Sequence, residues 1–143
     1  MRHFADRLLA AIERTAAPVC VGLDPVWEKL PEEIRAGIDG SARVNPENRA
    51  AGLMAFCLDV IQRVAPLVPA VKINVAFFEP YHAPGLLAYR EVVKSAHEAG
   101  LVVIGDVKRA DIGIASQQYA TAHLSARGEG HGFVQPDAIT INP

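Results

Sequence analysis

Apolar and polar positions alternate between two periods along the chain. Over residues 3–15, Phe4, Leu8, Leu9, Ala11 and Ile12 fall on one face, the spacing of an amphipathic helix. Residues 18–23 (PVCVGL) are a short apolar run closed by Asp24-Pro25, which predicts a buried strand. Residues 25–45 are rich in Pro, Gly and charge. One or two helical turns are expected over Pro31–Arg35 and a mobile loop over Gly37–Arg43. Asn45 is placed to cap the next helix, with Pro46 at its first position. That helix carries Leu53, Phe56, Val60, Ile61 and Val64 as a stripe and runs to about Ala65, before Pro66. A strand is predicted over 70–75, a helix from about Gly85 to Ala99 stopped by Gly100, and a strand over 101–107. Residues 112–126 read as a helix, 128–132 as a turn, and 137–142 as a strand.

Helix precedes strand four times, and the strands are apolar on both faces. That pattern means parallel strands covered by helices, an α/β fold. An open doubly wound sheet and a (β/α)8 barrel both fit. No strand is followed by Gly-x-Gly-x-x-Gly opening a helix, which disfavours the dinucleotide-binding version. A full barrel needs about 250 residues, so four strands ending at Asn142-Pro143 are expected to be its N-terminal half. Residues 1–143 are then one incomplete domain, the beginning of a longer protein or a truncated product.

Composition narrows the class. The chain is 50% hydrophobic and 21% charged, with net charge −2, so it is globular and lacks the basic footprint of a nucleic-acid binder. No apolar run approaches a membrane span, and early charges in Met1–Leu9 argue against a signal peptide. Cys20 and Cys57 have no metal-binding or disulfide spacing and are expected to be buried, reduced thiols of a cytoplasmic protein. The five histidines form no pair at ligand spacing and are expected on surfaces or helix faces. Trp27, Phe77 and Phe78 are expected to pack.

The candidate chemistry sits where strands end, the ligand-binding end of parallel α/β folds. Asp24 closes the first strand, Lys72 interrupts the apolar second, and Asp106, Lys108 and Asp111 follow one another at the end of the third. A charge inside an apolar strand needs a partner, and Asp106 on the neighbouring strand is the natural one for Lys72. Asp106 and Lys108 are two apart and should share a side. The expected array is Lys72, Asp106, Lys108 and Asp111. Opposite charges about 4 Å apart gain about 4 kcal/mol at an effective dielectric near 20. Such an array could simply hold strands together, or its Asp24, Asp106 and Asp111 could bind magnesium, although the interleaved lysines argue against a carboxylate cage.

These residues also resemble a known family. Gly105-Asp-Val-Lys-Arg-Ala-Asp-Ile-Gly113 resembles the Asp-x-Lys-x-x-Asp-Ile signature of orotidine 5′-phosphate decarboxylases. Val21-Gly-Leu-Asp-Pro25 resembles their first strand. Val71–Glu79 and Asp137–Pro143 resemble the second and fourth strands of the bacterial subgroup with longer loops. The resemblance covers essentially the whole chain, in family order.

The resemblance implies a cofactor-free and metal-free decarboxylation of orotidine 5′-phosphate to uridine 5′-phosphate, in de novo pyrimidine biosynthesis, by a homodimer with active sites near the subunit interface. By matching position, Asp24 and Lys72 would contact the ribose hydroxyls and Asp106 would face the departing carboxylate. Lys108 would stabilise and protonate the C6 carbanion, and Asp111 and Ile112 would reach the partner's site. A fixed ammonium at that carbon is physically suited to the task. The family's late phosphate-gripping loop and Arg have no counterpart in these residues, and Ile114 replaces the usual small polar residue. Two other readings stay open: a magnesium-dependent phosphosugar decarboxylase or synthase of the same barrel type, and an inactive truncated product.

Overall fold

A computed structural model describes residues 3–38, 45–124 and 134–142. The first helix, α1 (Phe4–Thr15), is followed by β1 (Cys20–Leu23) and a short helix, α2 (Glu32–Ala36). Next come α3 (Pro46–Val64), β2 (Ala70–Asn74), α4 (His82–Glu98), β3 (Val102–Asp106), α5 (Gly113–Leu124) and β4 (Ala138–Ile139). The strands form one parallel sheet in sequence order, β1-β2-β3-β4. Gly22 pairs with Lys72, and Asn74 with Asp106, so the charged strand ends come into line.

Sequence chemistry explains most element boundaries. Asn45 accepts from the Glu47 and Asn48 N–H groups at 2.9 and 3.2 Å, with Pro46 leading α3. That satisfies donors every helix start leaves open. Leu53, Cys57 and Ile61 of α3 are fully buried against the sheet, whereas Phe56, Val60 and Val64 pack at the rim. Trp27 and Phe78 lie in the same core. α4 begins at His82, three residues before Gly85. Pro84 is tolerated in a first helical turn. Gly85 serves a close approach instead, since a Cβ there would sit 1.9 Å from the Phe78 carbonyl oxygen. Gly100, at φ +79°, ends that helical segment.

Helix α1 lies across the starts of the strands. Phe4, Leu8 and Ala11 pack on Ala70 and Val102, the first residues of β2 and β3. Arg7 donates to Asp137 at 2.5 Å, just before β4. The buried Asp137 carboxylate also accepts from the Val103 N–H at 2.8 Å.

Three expectations change. Cys20 is exposed, while Cys57 is buried, because β1 is the sheet's edge among the described residues and its first residue has little above it. Burial pushes the Cys57 thiol up to about 12. β4 pairs over only two residues, because Thr140 and Asn142 turn their side chains to the β3–α5 loop. Helix α5 buries none of its residues, so its cover of the sheet is thinner than predicted. His97 lies on a half-buried face of α4, where it contacts the Gln135 carbonyl at 3.0 Å and lies 3.6 Å from Asp137. The turn at 128–132, most of the loop at 37–43, and His131 lie outside the described residues.

Candidate active site

Four charged side chains meet at the C-terminal ends of the strands. Lys72, from the middle of β2, donates to Asp106 at 2.8 Å and to Asp24 at 3.4 Å. Lys108 donates to the other Asp106 oxygen at 2.5 Å. The order is therefore Asp24–Lys72–Asp106–Lys108, two cations alternating with two anions. Gly22 makes room for it: a Cβ there would come 3.0 Å from the Asp24 carboxylate and 3.9 Å from the Lys72 stem.

The environment is graded. Asp106 is 6% exposed, whereas the Lys108 side chain is 55% exposed, so the buried anion presents a reachable cation. Hydrogen bonds from Lys108, then Lys72 and Thr140, hold the Asp106 carboxyl well below the usual carboxylate range, against the effect of its burial. For Lys72, burial is the largest single influence and opposes charge. The carboxylates of Asp106 and Asp24 outweigh it, and the ammonium's pKa lies above the usual lysine value. Both groups of the central pair are thus ionised at neutral pH.

Lys108 reaches Asp106 by a route that strand alternation does not describe. β3 ends at Asp106, and Lys108 has φ +48°, a left-handed conformation costly for a residue with a Cβ. Its N–H donates to Thr140 Oγ1 at 3.2 Å, and its carbonyl accepts from Asn142 Nδ2 at 3.2 Å. The Thr140 hydroxyl in turn donates to Asp106 at 2.8 Å. Sequence reasoning missed Thr140 and Asn142. The available signal was their alternation beyond β4, which aims both at the end of the neighbouring strand.

Asp111 does not join the array. Its carboxylate accepts from the Ile112 N–H at 2.8 Å just ahead of α5, and Ile112 is 88% exposed. Among the described residues, no group of three or more His, Cys, Asp or Glu side chains is placed to hold a metal ion. No helix among them is long and apolar enough to cross a membrane.

Known proteins resemble this chain along its whole length. The sequence model of the orotidine 5′-phosphate decarboxylase / HUMPS family matches residues 17–133. An orotidine 5′-phosphate decarboxylase of Rhodopirellula baltica is 41% identical over all 143 residues, which are 46% of its length. A solved Leishmania donovani OMP decarboxylase superposes with a TM-score of 0.67 at 30% identity, over 98% of this chain and 44% of that one. A Streptomyces avermitilis chain assigned to the same activity superposes at 0.75 with 31% identity, over 100% of this chain and 45% of that one. The chain thus spans about half the length of the relatives it matches. With its four parallel strands, covering helices and strand-end charges, it belongs to the orotidine 5′-phosphate decarboxylase / HUMPS family.

Proposed function

We propose that this chain carries the charged half of an orotidine 5′-phosphate decarboxylase site, acting in pyrimidine biosynthesis on a small nucleotide substrate. The observation that carries the reading is the alternating array ending in an exposed Lys108 on a buried Asp106. In the reaction, the bond between C6 of the pyrimidine and its carboxylate breaks, and carbon dioxide leaves. The electron pair stays on C6, and a proton from Lys108 Nζ then closes that valence. Lys108 recovers its proton from water. An ammonium held where charge develops stabilises the carbanion more than the substrate. Asp106 keeps Lys108 oriented until the proton moves. Asp24 and Lys72 take the ribose hydroxyls as acceptor and donor.

Asp111 and Ile112 fit a second role. Both stand outside the array, and Ile112 is exposed. These facts support a homodimer in which the two residues complete the partner subunit's site.

The test joins this chain to the remaining part of a whole-length family member and follows labelled carbon dioxide released from carboxyl-labelled orotidine 5′-phosphate. Release is expected, with Lys108→Ala reducing it by about a thousandfold or more while the fold persists. A folded joined protein that releases none, or that releases equally with Lys108→Ala, would overturn the reading. Loss of release in a chelator would favour a magnesium-dependent relative instead.

A further inference from the structure

The β3–α5 loop has a second ionic anchor that shares no residue with the charge array. Arg109 pairs with Glu79, which lies in the turn between β2 and α4. The same guanidinium donates through Nη1 to the Val107 carbonyl at 2.8 Å. That carbonyl belongs to the peptide group whose N–H is the Lys108 amide, and that amide donates to Thr140. One peptide plane is therefore gripped at both edges, by Arg109 at its oxygen and by Thr140 at its nitrogen. The next plane is held through the Lys108 carbonyl by Asn142. The relative rotation of these two planes is set by the Lys108 φ and ψ angles, and its φ is the left-handed one. Strain of that kind persists only where the surroundings over-determine it.

We infer that Glu79 and Arg109 are positioning residues: Glu79 fixes Arg109, Arg109 fixes the Val107–Lys108 peptide, and that peptide holds the Lys108 ammonium on Asp106. The inference rests on the proposed role of Lys108, but its geometry needs no substrate. A planar guanidinium suits the task because it can serve a carboxylate and a carbonyl at once. Pairing with Glu79 also reduces the freedom of a long side chain that would otherwise have to be ordered by one carbonyl. His123 of α5 faces the same pair: burial, then the nearby Arg109 cation, lowers its pKa. It therefore adds little positive charge against Arg109 at neutral pH.

The experiment compares the joined whole-length protein with its Arg109→Met, Glu79→Ala and Glu79→Gln variants at neutral pH. Amide hydrogen exchange at Lys108 and the carbon resonance of the Asp106 carboxylate are read by NMR. Exchange at Lys108 should accelerate by about tenfold or more in Arg109→Met and Glu79→Ala, with a shift of the Asp106 resonance. Glu79→Gln keeps an acceptor for Arg109 and should fall between them and the parent. Core amides at Val71 and Val103 should keep their protection. Unchanged exchange at Lys108, or an equal rise at every amide, would overturn the inference, the latter by reducing the pair to a general brace. Should Arg109→Met not fold, Glu79→Gln, which removes only a charge from a partly exposed group, gives the same decision. Because no turnover is read, failure here is distinct from failure of the decarboxylase reading.

Discussion

Lys108 and Asp106 divide one task between exposure and burial, and each can be tested by a single substitution. In the joined whole-length protein, Lys108→Ala should abolish turnover and cost about 1 kcal/mol of stability, less than Asp106→Asn, because the buried carboxylate keeps Lys72 and Thr140 as partners. Calorimetry alongside the carbon dioxide assay checks both. Asp106→Asn should act on the fold. Its carboxyl is held below its ordinary value of 3.8, so the charged form stabilises the native state above that value, and the contribution is lost as pH falls through the lower folded value. The variant should be less stable at pH 7 by about 2 kcal/mol, and its deficit should shrink as pH falls below 3.8. Urea midpoints measured across that range decide it. A deficit that stays constant with pH would show that charge is not its source. Lys72 was legible because a lysine in Ala-Val-Lys-Ile-Asn-Val breaks an apolar run, and an interrupted run demands a partner. Asp111 was misplaced because chain proximity to Lys108 says nothing about which way a left-handed turn sends the next residues.

Among the elements, what holds the site in place is a set of boundaries. The Asn45 cap and the helix stop at Gly100 could be read from local rules, since each satisfies groups within its own helix. Gly85 could not. It resembles a helix start, yet its role is contact with a backbone seven residues earlier in the chain. Gly85→Ala should destabilise by about 1–3 kcal/mol, as a methyl group must displace backbone. Asn45→Ala should cost about 1 kcal/mol, with faster amide exchange confined to the first turn of α3. If Gly85→Ala unfolds at the parent's urea midpoint, the close approach is not a constraint. The short β4 escaped the sequence pattern for a related reason. Alternation in Asp137–Asn142 is compatible with a longer strand, but after Ile139 the side chains of Thr140 and Asn142 bond to Lys108 instead.

At the scale of the molecule, four parallel strands with helices between them followed from periodicity, but their order in the sheet did not, since an open doubly wound sheet fitted the pattern as well. The thin cover offered by α5 did not, because its apolar residues Ile114 and Leu124 lie on an unburied helix. The clearest long-range tie is Asp137, which joins α1, β3 and β4 through Arg7 and Val103. Asp137→Ala should cost about 3 kcal/mol, since it leaves a guanidinium and a buried amide without their acceptor. Exchange should rise first in α1. Equal loss of protection in α3 and α1 would mean that the tie serves the whole core rather than the helix.

The Arg7–Asp137 contact spans 130 positions of the chain, and that separation sets an order of events during synthesis. Translation proceeds from the N-terminus, and domains build as their segments emerge. Helix α1 leaves the ribosome before its floor, Ala70 and Val102, and its anchor appears later still. Contacts so distant in sequence form slowly, because a long loop must close before they contribute. Helix α1 is therefore made well before it can dock. Until then its apolar face, with Phe4, Leu8 and Ala11, is the surface a nascent-chain chaperone would meet.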